Sequence, residues 1–364
     1  MTEHVLVFGV GSDTPARMRA FGERTGQRVT ASLMCRPEHL AGIVDIGAYE
    51  RIVVVGRDAS DEEWIALARS VHTVDPVTGI GSFHDDCRPQ AAVVAQVLGL
   101  DACTPELVEL LGDEHATRER LIRAGVEDAA AGEAESVGGL PAGDRYRVAA
   151  LSEQGEHQVV AVVRTYLDPV GRGELGHAVP APLGSTARAS VERRVVAALE
   201  ALGVECGPTR TEVVLTGDGP RVLAVRLGAH GDELGAMVTG ATGVDLVESQ
   251  FRQVLGEKVL PGIRAVLDAP GSPARGEALW FAGARARGTL VEVAGAEGER
   301  PDAVTLRVVG VPGTDLAGSR DGFARLAWAR AHAATAEEAV ALAREAVGGL
   351  SFVIRFPASQ GELP

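Results

Sequence analysis

Over the first ninety residues short apolar runs alternate with amphipathic stretches, and that rhythm restricts the fold more than any other feature of the chain. HVLVFGV (4–10) has the pattern of a buried strand; Gly11-Ser12-Asp13 and an amphipathic stretch, Thr14–Thr25, come next. QRVTASLM and RIVVVG (51–56) are further strand-like runs, with a helix from about Asp61 and another strand near Gly79–Phe83. Strands that alternate with helices require a mostly parallel sheet with helices on its faces. FGVGSD places glycines after the first strand, but it is not GxGxxG and has no Walker lysine. It fits a tight strand-to-helix turn better than a dinucleotide site.

Further along, the periodicity predicts helices over Arg88–Leu98, Thr104–Leu111 and His115–Ala124, with Thr104 before Pro105 as an N-cap signal. EDAAAGEAESVGGLPAGD (127–144) is acidic, small and glycine-rich, the composition of a connector. YRVAALSEQGEHQVVAVVRTYL (146–167) predicts a hairpin. Residues 184–203 predict a helix with Val191, Val195, Val196, Leu199 and Leu202 on one face and Gly203 as its stop. TEVVL (211–215) and RVLAVRLG, joined by Gly-Asp-Gly-Pro, predict a second hairpin. Helices over 232–239 and 243–256 follow. Composition shifts to Pro and Gly at APGSPARGE (269–277), a candidate boundary. Beyond it, EALWFAGARARGTLVEVAG predicts a hairpin, VTLRVVGV a strand, TAEEAVALAREAV (335–347) a helix capped by Thr335, and SFVIRF a last strand.

The 364 residues suit two or three domains with substantial cores. A net charge of −15 without a basic stripe argues against a nucleic-acid partner. Cys35, Cys87, Cys103 and Cys206 are scattered, with no CxxC pair, which fits reduced thiols rather than a disulfide frame or zinc site. The start has no basic leader, and no stretch reaches eighteen consecutive apolar residues, so a cytoplasmic protein without a membrane span is expected. Of the 35 lysines and arginines only Lys258 is lysine. A GC-rich genome accounts for the general bias, but a chain with one lysine cannot host chemistry that needs two.

Several segments, in order, resemble the ATP-grasp superfamily, and within it the carboxylate–amine ligases related to L-amino-acid ligases and biotin carboxylase. FHDDCRPQAAVVAQVLGL looks like the segment closing the N-terminal domain, and LVELLGDEHATRERLIRAGV like the family's Asp-Lys…Thr-Arg helix pair. LGHAVPAPL (175–183) looks like the strand-to-helix passage into the core. GPTRTEVVLTGDGPRVLAVRLGAHGDELGAMVTGATGVDLV is similar to the metal-binding hairpin and its helix. The resemblance covers nearly the whole chain. It implies an α/β and α+β protein of ATP-grasp-like architecture: an N-terminal parallel-sheet domain over 1–112, a truncated core over 113–270 with its lid reduced to 127–144, and a small C-terminal α+β domain over 271–364.

What the family uses and this chain lacks is as telling. Such ligases phosphorylate a carboxylate with ATP, using two lysines, a glycine-rich lid and Mg²⁺ held by carboxylate and amide oxygens. Here 127–144 has no lysine and is too short for that lid, and the family's Asp-Lys is Asp113-Glu114. On the hairpin Glu212 keeps the first metal carboxylate, whereas Ala224 and Arg226 replace the second glutamate and the asparagine, and Gly228 replaces a substrate-binding arginine. No cofactor is therefore expected, with ATP and Mg²⁺ binding lost. The remaining polar candidates are His177, His230 and Glu212 as catalytic groups and Arg226, Arg210, Asp85 and Asp86 as substrate-binding groups. Arg226 has two readings, a salt bridge to Glu212 that fills the vacated metal position or recognition of a substrate carboxylate. His84-Asp85-Asp86-Cys87 fits a loop capping the next helix better than a metal site. The expected function is that of a degenerate ligase acting as a binding or regulatory partner in bacterial amino-acid or peptide-type biosynthesis. Its expected partners are a small amino-acid-like carboxylate and an intact ligase, and the chain itself is expected to be a homodimer. The alternatives are an ATP-independent lyase, hydrolase, cyclase or isomerase in the old substrate pocket, and an unusual ATP-dependent ligase.

Overall fold

The computed structural model describes residues 2–9, 14–128, 136–137, 140–169, 173–229, 233–269, 275–285, 287–316 and 323–356. Much of 127–144, part of the FGVGSD turn, most of the Pro/Gly-rich 269–277 segment and His230 lie outside them.

The N-terminal unit comprises β1 (Thr2–Phe8), α1 (Thr14–Thr25), β2 (Arg28–Cys35), β3 (Arg51–Val54), α2 (Asp61–Val74), β4 (Gly79–Ser82) and α3 (Arg88–Leu98). Its strands pair in parallel in the order β3-β2-β1-β4. Val5, Leu6, Val7 and Phe8 are all buried. Leu6 and Phe8 meet Trp64 of α2 and Val94 of α3, while Val5 and Val7 meet Met18 and Phe21 of α1. A parallel strand covered on both faces has to be apolar at successive positions, which is why HVLVF does not alternate. α2 starts where Ser60 N–H donates to Glu63 (2.8 Å), with Asp61, Glu62 and Glu63 on the positive end of the helix dipole.

α4 (Pro105–Gly112) and α5 (Glu114–Arg123) lead into the core. Thr104 Oγ1 accepts from Leu107 N–H (3.2 Å), as the Thr-Pro signal predicts, and Asp113 caps α5 by accepting from His115 and Ala116 N–H. After the two-residue strands β5 (Ser136–Val137) and β6 (Leu140–Pro141) come β7 (Asp144–Glu153), β8 (Glu156–Leu167), β9 (Glu174–Val179), α6 (Ser185–Leu202), β10 (Gly207–Thr216) and β11 (Gly219–Leu227). α7 (Glu233–Thr242), α8 (Leu246–Val254), α9 (Leu260–Asp268), β12 (Gly276–Ala284), β13 (Thr289–Ala294), β14 (Val304–Val308), β15 (Ala324–Ala333), α10 (Ala336–Gly348) and β16 (Ser351–Arg355) complete the chain. Eight of these strands form one antiparallel sheet, β11-β10-β7-β8-β9-β12-β15-β14.

Side-chain alternation sorts this sheet into two layers. Val148 and Ala150 of β7 pack on Val191, Val195, Leu199 and Leu202 of α6, and Ala149 and Leu151 face the α7–α9 side with Met237 and Ile263. Each fully buried Val or Leu there contributes about 1.5–3 kcal/mol by leaving water. Both hairpins predicted in the core form, β7–β8 and β10–β11. The one predicted beyond residue 275 does not. Both edges of β12 are occupied, by β9 and by β15, so β13 pairs instead with β16. The eight-stranded sheet thus continues across residue 270. A four-stranded parallel sheet belongs to the N-terminal unit, and a large antiparallel sheet to the rest of the chain. Among the described residues no helix is long and apolar enough to cross a membrane.

Candidate functional site

A cavity of about 400 Å³ opens over β7, β8, β9 and β10. Its wall carries Arg145, Tyr146, Arg147, Thr165, Asp168, Glu174 and Glu212, and no lysine lines it. Glu212 is where the hairpin places it, half-exposed on β10, with Ala224 opposite on β11 and Arg147 opposite on β7. Arg147 Nη2 lies 2.5 Å from Glu174 Oε1 and 3.8 Å from Glu212 Oε1. Arg325 Nη2, from β15, lies 2.8 Å from Glu174 Oε2. Its guanidinium also stacks 4.2 Å over the Phe281 ring.

His177 is 2% exposed and sits behind Glu174, its Nε2 3.6 Å from Glu174 Oε2 and its Nδ1 3.3 Å from Thr165 Oγ1. Burial lowers its pKa, aided by the Arg147 and Arg325 charges and opposed by Glu174, so the ring is neutral near pH 7. For Glu174 burial pushes the other way, but His177, Arg147 and Arg325 outweigh it and hold the carboxyl down at about 2. The wall of the cavity is therefore a network of charges that already satisfy one another.

Arg226 does not meet Glu212. In the β10–β11 register Arg226 faces Arg210, and the guanidinium reaches instead to Glu114 of α5, Nη2 to Oε1 at 3.0 Å. The side chains are 50% and 70% exposed, so neither the plug of a vacated metal position nor its salt bridge to Glu212 is formed. Glu114 and Arg226, the two positions where the resemblance implies lysine and asparagine, pair with each other.

Arg210 and Asp85 come together between the two units. Arg210 Nη2 donates to Asp85 Oδ2 (2.6 Å) and to the Leu227 carbonyl (3.2 Å), and Arg88 Nη2 donates to Asp85 Oδ1 (3.0 Å). Burial raises the Asp85 carboxyl, yet the two guanidiniums prevail and lower it. Gly228 is the position where the resemblance expects an arginine. It has φ +90°, and a Cβ there would run into the Arg88 guanidinium. An arginine from α3 thus stands where one from the hairpin loop was expected.

Asp86 points elsewhere. It accepts from His39 Nε2 (2.9 Å) and pairs closely with His84 Nδ1, and these imidazoles lower its carboxyl against the effect of burial. Neither acid caps α3, because Cys87 takes the N-cap position with no side-chain cap bond. Burial, then the neighbouring Asp86, pushes the Cys87 thiol up to about 12. The sequence reading missed Arg147, Glu174, Arg325, Arg88 and His39. Of these, Arg147 left a signal, as a charged position inside an apolar strand. His230 lies outside the described residues.

No protein-family model matches the chain, and no curated protein sequence matches it. Solved structures do. An L-amino acid ligase from Bacillus licheniformis superposes with a TM-score of 0.76 at 18% identity, covering 97% of this chain and 99% of the ligase. Phosphoribosylglycinamide synthetase from Anaerococcus prevotii gives 0.70 at 10% identity, covering 98% and 100%. The biotin carboxylase domain dimer of Hydrogenobacter thermophilus 2-oxoglutarate carboxylase, in complex with Mg-ADP and bicarbonate, gives 0.61 at 13% identity, covering 97% and 91%. At such identities the likeness is one of fold.

Proposed function

We propose that this chain keeps a ligase-like fold but works without ATP- and Mg²⁺-dependent ligation, as a binding or regulatory partner in bacterial amino-acid or peptide-type small-molecule biosynthesis. The observation that carries this reading is Arg147. Two of the cavity's carboxylates, Glu174 and Glu212, share its guanidinium. A unit positive charge about 4 Å from a divalent ion costs roughly 8 kcal/mol at an effective dielectric near 20. The residues present therefore do not fit Mg²⁺. The pair of lysines with which such ligases hold the triphosphate is missing too, because the chain's single lysine, Lys258, lies exposed between α8 and α9 and outside the cavity wall.

A small amino-acid-like carboxylate suits the Arg88–Arg210 pair. Two guanidiniums already hold the Asp85 carboxylate there, and a ligand carboxylate would exchange with it. ATP-independent catalysis takes second place, because His177 is buried behind Glu174 rather than exposed on the cavity wall. Titration calorimetry with Mg-ATP up to millimolar concentration is expected to give no binding heat. Micromolar binding would sink the proposal.

A further inference from the structure

The second place where ligand-type side chains converge lies in the N-terminal unit and plays no part in the cavity. The sheet order β3-β2-β1-β4 reverses direction between β1 and β4, and the crevice beyond the carboxyl ends of two such strands is where open α/β sheets bind ligands. Three loops meet at it. Gly9 follows β1, His39 lies in the short helical turn after β2 (Pro37–Gly42), and His84 and Asp86 follow β4. Gly9, at φ +72°, makes the approach possible, since a Cβ on it would sit 2.7 Å from His84 Cβ.

Two imidazoles face the same carboxylate from either side. His39 Nε2 is 2.9 Å from Asp86 Oδ2, His84 Nδ1 contacts Asp86 Oδ1, and the ring centroids are 5.1 Å apart. One ligand atom from each residue falls within 4.8 Å of the others. Bonds of about 2.0–2.2 Å to a tetrahedral ion separate its ligands by roughly 3.3–3.6 Å, so Asp86 has to draw back by a few tenths of an ångström from His39 and by about an ångström from His84. Its side chain is 45% exposed and free to do so, as is that of His84, whereas His39 is held at 10%.

We propose that His39, His84 and Asp86 form a site for a borderline divalent transition metal of the Zn²⁺ type. Two imidazole nitrogens and one carboxylate oxygen select such ions over Mg²⁺ or Ca²⁺, which prefer oxygen alone. Ligation through His39 Nε2 moves that ring's proton to Nδ1, which then releases the Arg36 N–H it accepts (3.4 Å) and turns to Cys87 Sγ, 3.9 Å away, as an outer acceptor. Three protein ligands leave the fourth position to solvent, the open arrangement of a reactive rather than a sealed structural zinc. Unlike the cavity, this group has no guanidinium among its donors: Arg36, on the same turn, directs Nη1 to the Arg57 carbonyl. The inference is independent of what the cavity binds.

The test is a Zn²⁺ titration of the EDTA-treated, desalted full chain against a chromophoric chelator, with Co²⁺ as a spectroscopic probe. One ion per chain at micromolar affinity or tighter is expected, together with the visible absorption of four-coordinate Co²⁺. Asp86→Asn and His84→Ala should each weaken binding at least tenfold while far-UV dichroism stays native, whereas Cys87→Ser should leave it within threefold. Millimolar binding by the unaltered chain would overturn the proposal. So would undiminished affinity in a folded His39→Ala/His84→Ala protein, or loss of binding with Cys87→Ser but not with His84→Ala.

Discussion

The cavity of the eight-stranded sheet and the crevice of the four-stranded sheet gather the same kinds of side chain to opposite effect. In the cavity Glu174 and Glu212 flank Arg147, Arg325 completes the neutralisation, and the neutral His177 ring lies behind Glu174. In the crevice His39 and His84 flank Asp86, and three donor atoms share a space with no fixed cation among them. Carboxylates and histidines thus do not by themselves make a cation site. What decides is whether an arginine from a neighbouring strand reaches into the group. In the cavity that arginine is Arg147, the cross-strand partner of Glu212.

The largest break in this comparison should come from Glu174→Gln. It leaves Arg147 and Arg325 without their anion, and urea unfolding at pH 7 should show a loss of about 2–3 kcal/mol, somewhat below the value for a fully buried pair because Arg325 is partly exposed. The sign with pH follows from the folded-state value of about 2 against an ordinary 4.5. Stability from Glu174 is complete above about pH 4.5 and is lost as pH falls toward 2. His177, held below its ordinary 6.5, adds a loss of the same sign as pH drops below 6.5. Glu174→Gln should therefore flatten the acid limb of the stability curve. An acid limb as steep as that of the unaltered chain would remove Glu174 from the account.

Gly9→Ala sharpens the other side. A left-handed backbone costs a residue with a Cβ about 1–2 kcal/mol, and this Cβ would also press on His84. About 2 kcal/mol of stability should go, with a drop in Zn²⁺ affinity, leaving the acid limb set by Glu174 intact. Unchanged Zn²⁺ affinity in a destabilised Gly9→Ala chain would show that the turn holds the fold but not the donors. Arg226→Ala should do least. Its pair with Glu114 is open to water, so thermal or urea unfolding should shift by no more than about 0.5 kcal/mol. A loss above 1 kcal/mol would mean that this pair couples α5 to the hairpin.

How far the sequence could be read depended on distance along the chain. Short-range signals survived in the structure: the Gly-Asp-Gly-Pro hairpin, the Thr104 and Thr335 caps and the apolar stripe of α6 all act within a few residues. The unformed hairpin after residue 275 shows the limit, since strand-like segments close in sequence do not pair when both edges of one are claimed by distant strands. The site was legible in its parts rather than in its pairings. Glu212 and Arg226 were read as neighbours on one hairpin, but the register sets Arg226 beside Arg210, and its anion comes from 112 residues away. His39 had no local signal at all, because a histidine in a loop after β2 acquires meaning only when β4 returns beside β1.

Gly228 and Arg88 constrain each other across the two units. An arginine at 228 would force a side chain into a left-handed backbone and push the end of the Arg88 side chain aside. Removing Arg88 first would strip Asp85 of one of its two partners. Neither position changes alone without disturbing the Asp85 cluster, so the two act as an interlock that ties the hairpin loop to α3.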